Sequence, residues 1–206
     1  MIKGILFDLD GVLVDTTQLQ IDSTIKALSP FVKKNNHIIS ILKQTITTKE
    51  KLQILYDANY LKKNQLETIY INKKKIFKKE IKKKKIFSKI IYNIFIYLKK
   101  KNYKCALVTN ANLKTTLFIL KKMKINKFFS VIVTNENRIK PKPNPEPYVY
   151  AIKKLCLKKE NCLIFEDSEV GLLSAKRSGA KTIKVNNVKD LNKKYLISKI
   201  NKYETI

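Results

Sequence analysis

A chain of 206 residues can bury one substantial hydrophobic core and still carry an inserted subdomain. Its formal charge of +28 is typical of nucleic-acid-binding proteins, yet only Arg138 and Arg177 among its 44 basic residues are arginines, which phosphate recognition usually favours. Abundant lysine, isoleucine and asparagine, together with only 4 glycines, are what an AT-rich coding sequence produces. We therefore attribute the charge to codon usage and expect no specific binding of nucleic acid.

The apolar runs of the sequence are too short to span a bilayer, and a strand-like pattern begins at Ile5. We therefore expect no signal peptide, no membrane association and a cytoplasmic location. The three cysteines, Cys105, Cys156 and Cys162, lie among apolar residues without the spacing of metal ligands. We expect them to be reduced core residues, and we expect the protein to be a monomer.

The first motif is a short apolar strand, residues 5–7, that ends in the paired acids Asp8 and Asp10. Unpaired buried charge is costly, and a divalent cation such as Mg²⁺ neutralises it through the oxygen ligands that it prefers. Gly11 permits the sharp backbone turn that leads out of the sheet. Taken alone, the pair fits an acidic turn after an edge strand as well as it fits a metal site.

Only helical patterns follow this strand, up to residue 85. Residues 17–29 space their apolar side chains as a helix does, and Pro30 ends that pattern. Residues 36–85 continue with helices only, and the basic segment 61–85 carries lysines between apolar positions. We expect these lysines, including 73–75 and 82–85, to form a solvated helix face; binding to a membrane or to nucleic acid is the alternative.

From residue 88 onward the pattern alternates between helices and strands. The predicted strands are 103–108, 129–133, 162–165 and 182–185; the predicted helices are 90–98, 112–124, 147–157 and 168–178, with a helical, peripheral tail after 188. This alternation predicts an α/β fold, a Rossmann-like parallel sheet with helices on both faces. Residues 1–15 and 86–206 form this predicted core, and residues 16–85 form an inserted all-helical cap.

Polar side chains stand where the predicted strands end: Asp8, Asp10, Thr109, Glu166 and Asp167. Ligands of parallel α/β sheets bind at the carboxyl ends of the strands, so we expect these residues to converge on one crevice.

The loop 138–148 contains four prolines and could hold one lysine, Lys142, at a fixed position. A stiff connector without a function is the alternative, because lysine is common throughout this chain.

Four motifs together resemble the haloacid dehalogenase (HAD) superfamily, and the resemblance spans residues 1–186. They are Asp8-Leu-Asp10-Gly11-Val12, Val108-Thr109-Asn110, Lys142-Pro143-Asn-Pro145-Glu146-Pro-Tyr148 and Glu166-Asp167-Ser168-Glu-Val-Gly171. The chain is most similar to the helical-cap branch, which includes β-phosphoglucomutases and phosphoglycolate or sugar-phosphate phosphatases. True dehalogenases of the superfamily lack the second aspartate, so Asp10 indicates phosphate chemistry.

The resemblance implies a role for each acid. Asp8 would be the nucleophile that forms an aspartyl-phosphate, and Asp10 would be the general acid and base. Mg²⁺ would be held by Asp8, the Asp10 carbonyl and Asp167, with Glu166 assisting directly or through water.

The phosphate ligands are implied in the same way. Thr109, with the backbone amides of Asn110 and Ala111, would hold phosphate oxygens, and Lys142 would offset negative charge on the nucleophile and the phosphoryl group.

The predicted cap departs from the mutase pattern at two positions. Gln20 stands where mutase-like caps carry a histidine, and Lys49 replaces a phosphate-binding arginine; both are candidate substrate contacts. His37, the only histidine, is expected to be a polar surface residue. We therefore expect a Mg²⁺-dependent phosphatase that acts on a small phosphorylated metabolite, with a sugar phosphate as the favoured substrate. The alternatives are a β-phosphoglucomutase-type phosphomutase and a lysine-rich binding protein on the same scaffold.

Overall fold

The computed structural model describes residues 1–44, 46–137 and 139–204, so Arg138 in the proline-rich loop and the last two residues of the predicted core lie outside it. The chain forms two compact units. One comprises Met1–Asp15 and Ile86–Ile206, and the other comprises Thr16–Lys85. Within the described residues, no helix has both the length and the apolar character that crossing a membrane requires.

A parallel sheet forms the centre of the first unit. Its strands are β1 (Gly4–Phe7), β2 (Lys104–Val108), β3 (Phe129–Val133), β4 (Cys162–Glu166) and β5 (Lys181–Lys184), in the order β3-β2-β1-β4-β5. All neighbouring pairs are parallel. β1 lies in the middle and is buried throughout, which explains its unbroken apolar sequence.

The helices follow in chain order: α1 (Thr17–Leu28), α2 (Asn36–Lys43), α3 (Thr48–Asp57), α4 (Leu66–Lys83), α5 (Lys89–Lys100), α6 (Leu113–Lys122), α7 (Glu146–Lys154), α8 (Glu169–Arg177) and α9 (Lys193–Asn201). On one face of the sheet, Leu6 belongs to a core cluster with residues of α7 and α8. On the other face, the Phe7 ring lies 5.4 Å from the rings of Phe95 in α5 and Phe165 in β4. The predicted α/β fold, with helices on both faces of a parallel sheet, is therefore confirmed.

The strand β4 runs one residue beyond its predicted end, to Glu166, so the acids Glu166 and Asp167 stand at its carboxyl end as predicted. Two other expectations about the first unit were wrong. Cys156 is exposed and has a positive φ of 55° just after α7, whereas Cys105 and Cys162 are buried free thiols as expected. The tail is not wholly peripheral, because α9 packs against α5 and buries Leu196 and Ile200.

The second unit consists of α1 to α4 around its own apolar cluster, which includes Leu28, Ile38 and Leu55. The α3 helix begins with a capping box, in which Thr47 and Glu50 satisfy each other's backbone amides. One expectation about α4 fails: Lys73 is not solvated but buried, with 8% of its surface exposed.

The remaining α4 lysines at 74, 75, 78, 79, 82 and 83 are exposed. If they reflect codon usage, binding of duplex DNA should be weak, independent of sequence and lost steeply with salt, by roughly 10³-fold or more between 50 and 200 mM for 6 phosphate contacts. Fluorescence anisotropy with two unrelated duplexes measures this. The double variant Lys74→Gln with Lys78→Gln should weaken binding no more than Lys153→Gln with Lys189→Gln. Tight binding at physiological salt that only the first pair removes would favour a dedicated nucleic-acid surface.

Candidate active site

Three carboxyl groups meet at the carboxyl edge of the sheet. Asp8 follows β1, Glu166 ends β4 and Asp167 comes directly after it. Because β1 and β4 are parallel neighbours, their carboxyl ends lie side by side. One carboxylate oxygen from each acid lies within 4.8 Å of the other two. Such a cluster is strongly negative unless a positive group balances it.

Lys142 supplies positive charge inside this cluster, although only 7% of its surface is exposed. Its ammonium group donates to Asp8 Oδ1 at 2.7 Å, to the Val108 carbonyl at 2.8 Å and to Glu166 Oε1. An ammonium group has three N–H donors, so all of them are used within the protein. Lys142 therefore links the candidate nucleophile to Glu166.

The proline-rich loop is held in place from two sides. The Asn110 side chain accepts from the Lys142 amide at 3.3 Å and donates to the Lys142 carbonyl at 3.4 Å. Ser174 in α8 donates to the Asn144 carbonyl at 2.6 Å. The sequence predicted a role for the Asn110 backbone amide, and this side-chain clamp on the lysine was missed.

Two glycines allow the acids to approach the backbone closely. Gly11 has a φ of 83°, and a Cβ atom there would lie 1.9 Å from Asp167 Oδ2. A Cβ atom at Gly171 in α8 would lie 2.1 Å from the Glu166 carboxyl carbon. Any larger side chain at either position would displace an acid of the site.

The charges of the site leave a negative excess. The three clustered carboxylates and the one ammonium group carry a formal net charge of −2 when all are ionised. Burial raises the pKa of Asp8 well above its usual value, although Lys142 acts in the opposite direction. Burial and then the charge of Glu166 raise the pKa of Asp167 to about 6. A hard divalent cation matches both this excess and the oxygen donors, so the donor set fits Mg²⁺.

Glu166 has no exposed surface, and both of its oxygens accept hydrogen bonds. Oε1 accepts from Lys142 and from the Tyr148 hydroxyl at 2.6 Å, and Oε2 accepts from the Asp167 amide at 3.2 Å. Burial and then the charge of Glu166 raise the pKa of Tyr148 well above its usual value, so this hydroxyl keeps its proton. Tyr148 is the last residue of the third motif, but no role at the site was predicted for it.

The remaining core candidates lie near the same edge. Thr109 is buried directly after β2, and its Oγ1 accepts from the Ala111 amide at 3.1 Å. That amide, expected to hold a phosphate oxygen, therefore has a partner within the protein. Asp10 is half-buried, and its charge is a minor contribution to the raised pKa of Asp167.

The candidates Gln20 and Lys49 belong to the helical unit. Gln20 is half-buried, and its side-chain oxygen accepts from the buried Lys73, a partner that the sequence did not predict. Lys49 is exposed, with its ammonium 5.2 Å from the centre of the Tyr70 ring. His37 is also exposed and shares a 3.0 Å hydrogen bond with the Tyr60 hydroxyl, which agrees with its expected surface position.

A model of the haloacid dehalogenase-like hydrolases matches residues 5–185. The chain therefore belongs to this family, as its four motifs predicted.

Curated relatives give a similar result. The chain is 26% identical to a phosphorylated carbohydrates phosphatase of Thermotoga maritima, over 88% of this chain and 83% of that protein. It is also 26% identical to the pyrophosphatase PpaX of Bacillus cereus, over 90% of this chain and 83% of that protein. These names support the expectation that the chain is a phosphatase.

Among solved structures, the fold is similar to that of a β-phosphoglucomutase from Clostridium difficile. The two superpose with a TM-score of 0.82 over 100% of both chains, at 22% identity. At this identity the likeness concerns the fold, which agrees with the predicted architecture.

The negative excess makes a prediction about Asp167. Its pKa in the folded, metal-free protein is about 6, above the 3.8 of an ordinary aspartate, so the folded state holds this proton more strongly than the unfolded state. The contribution of Asp167 to the stability of the metal-free protein should therefore fall as pH rises from about 4 to 6 and stay lowered above that. Asp167→Asn removes the charge, so it should raise the Tm of the metal-free protein at pH 7.5.

The same variant should lose the increase in Tm that Mg²⁺ gives the original protein. Thermal unfolding in EDTA and in Mg²⁺ measures both effects. The matched control is Asp190→Asn, which changes an exposed aspartate in the same unit. If Asp167→Asn lowered the metal-free Tm and kept the full Mg²⁺ response, the site would not be short of positive charge.

Proposed function

We propose that this protein is a Mg²⁺-dependent phosphatase that hydrolyses a small phosphorylated metabolite through an aspartyl-phosphate on Asp8. The favoured substrate class is a sugar phosphate. The observation that carries the proposal is the position of Asp8, which is buried at the carboxyl edge of the sheet, accepts a hydrogen bond from the Lys142 ammonium group and lies in one cluster with the carboxyl groups of Glu166 and Asp167. A carboxylate anchored in this way is held ready for attack on phosphorus. Membership of the family and the relative that acts on phosphorylated carbohydrates support it.

The reaction has two steps. The Asp8 carboxylate attacks phosphorus, the bond from phosphorus to the leaving oxygen breaks, and Asp10 gives its proton to that oxygen. Asp10 then takes a proton from a water molecule, which attacks the phosphorus of the aspartyl-phosphate. The bond between Asp8 and phosphorus breaks, inorganic phosphate leaves, and both acids return to their starting states.

Asp8, Asp167 and the Asp10 carbonyl would hold Mg²⁺. When bound, the ion supplies positive charge that lets an anionic carboxylate approach an anionic phosphate. Glu166 contributes to the same negative cluster, but its oxygens already accept three hydrogen bonds. This favours a role for Glu166 in orienting Lys142 over direct ligation of the metal.

The phosphate would be bound by the residues after β2 and by Lys142. The Thr109 hydroxyl oxygen accepts one hydrogen bond and still has a proton to donate to a phosphate oxygen. The backbone amides of Asn110 and Ala111 would be further donors. The Ala111 amide would first have to break its hydrogen bond to Thr109 Oγ1. Lys142 would act on the phosphoryl group through its charge, because its three N–H bonds are used within the protein.

The first prediction from this proposal concerns Asp8. Asp8→Asn should fold but lose at least about 10³-fold in kcat, because an amide is not a competent nucleophile. Asp190→Asn should keep full activity. Phosphate release from a good substrate measures both, and EDTA should abolish turnover until Mg²⁺ is restored. Near-normal activity of Asp8→Asn, or turnover that persists in EDTA, would contradict the mechanism.

Pyrophosphate is the second candidate substrate, because the Bacillus relatives are named pyrophosphatases. A panel of sugar phosphates, phosphoglycolate and pyrophosphate, assayed for free phosphate, separates the two. We expect the highest kcat/KM for a sugar phosphate. A higher kcat/KM for pyrophosphate than for every sugar phosphate would overturn the substrate assignment and leave the phosphatase mechanism intact.

A separate assay tests the phosphomutase alternative. The Gln20 side chain cannot titrate near neutral pH as a histidine does, so gating by a cap imidazole is not available at this position. With β-glucose 1-phosphate and catalytic glucose 1,6-bisphosphate, we expect phosphate release in proportion to substrate consumed. Efficient formation of glucose 6-phosphate with little free phosphate would favour the mutase.

A further inference from the structure

Tyr148 is the largest side chain that is fully buried in the core cluster beneath the site. It lies in the first turn of α7, at the end of the proline-rich loop. Its hydroxyl donates to Glu166 Oε1 at 2.6 Å, and the same oxygen accepts from the Lys142 ammonium group. One carboxylate oxygen is thus shared between a tyrosine and the lysine that holds Asp8.

Tyr148 also contacts Lys142 through its ring. The ammonium nitrogen lies 4.9 Å from the ring centre, within the range in which an aromatic face attracts a cation. The tyrosine therefore acts on Lys142 in two ways, directly through the ring and indirectly through Glu166. Only the second depends on the hydroxyl group.

We propose that Tyr148 is a positioning residue that sets how the Lys142 ammonium group is divided between Glu166 and Asp8. This inference rests on the proposed phosphatase function. Asp8 and Glu166 compete for the Lys142 ammonium group. The Tyr148 hydroxyl donates to Glu166 Oε1 and so stabilises part of the negative charge of Glu166. Lys142 is then left close to Asp8, whose carboxylate must be held for attack.

Removing the hydroxyl alone changes this balance. In Tyr148→Phe the ring remains, so core packing and the ring–cation contact are kept. Glu166 Oε1 then accepts only from Lys142 and draws the ammonium group away from Asp8. The variant should therefore lose about tenfold in kcat with little change in KM, because Tyr148 acts on the orientation of the nucleophile and not on binding.

The test compares kcat and KM of Tyr148→Phe with those of a matched control, Tyr195→Phe. The Tyr195 hydroxyl donates to the Lys184 carbonyl at 3.1 Å and has no part in the site. Tyr195→Phe should leave both constants unchanged. Equal kcat for Tyr148→Phe and the original protein, or a rise in KM alone, overturns the inference. So does a drop in kcat that only follows a loss of folded protein, measured by the Tm.

A double-mutant cycle tests the route through Glu166. Glu166→Gln removes the competing charge, so adding Tyr148→Phe to it should have almost no further effect on kcat. If the effects of the two substitutions multiply, Tyr148 acts independently of Glu166 and the inference is wrong.

Failure of the inference is distinguishable from failure of the proposed function. If the original protein releases phosphate and Tyr148→Phe does so equally well, only the inference fails. If the original protein hydrolyses no phosphate ester, the proposed function fails. A crystal structure of Tyr148→Phe then decides separately, because Lys142 still 2.7 Å from Asp8 Oδ1 would overturn the inference whatever the activity.

Discussion

The site depends on one ion-paired group, the Lys142 ammonium shared between Asp8 and Glu166. Losing Lys142 would leave both buried carboxylates without their cation, which is strongly destabilising. The surrounding structure maintains this pairing: the parallel register of β1 and β4 brings the two acids together, and the clamp from Asn110 holds the loop that carries the lysine. Gly171 in α8 leaves room for the Glu166 carboxylate.

A single lysine does not balance three carboxylates, and this imbalance links structure to function. Here the formal excess of −2, with oxygen donors on neighbouring strand ends, matches the charge and the ligand preference of Mg²⁺. The raised pKa values of Asp8 and Asp167 result from burial first, because the ionised carboxylates lose solvation. A bound cation would offset that loss.

The sequence predicted the fold and the location of the site because parallel strands have a simple physical signature. A strand buried on both faces is apolar throughout, and acids directly after it must lie at the carboxyl edge, as Asp8 and Asp167 do. The inserted helices were recognisable because their spacing never returned to that of strands. The roles assigned to individual site residues and to the helical unit remain predictions, because they depend on chemistry that the fold alone does not test.

The burial or exposure of individual side chains was harder to predict from the sequence than the fold. Lys73 looks like its solvated neighbours in a lysine run, and only the packing of α4 reveals that it is buried against Gln20. Cys156 has apolar neighbours but lies in the turn after α7. Tyr148 had a usable signal, since a tyrosine on a buried helical stripe needs a partner for its hydroxyl. That stripe consists of Tyr148, Ala151, Ile152 and Leu155.

The central claim is that Asp8 carries the phosphoryl group during turnover. An acyl phosphate, unlike a free carboxylate, is reduced by borohydride to an alcohol, which at this position would convert the aspartate into homoserine. The decisive measurement is to quench the enzyme during turnover of a good substrate, reduce it with borohydride and sequence the N-terminal peptide by mass spectrometry. We predict homoserine at position 8, dependent on substrate and Mg²⁺. Rapid turnover with no modification at Asp8, or with the modification at another residue, would contradict the account.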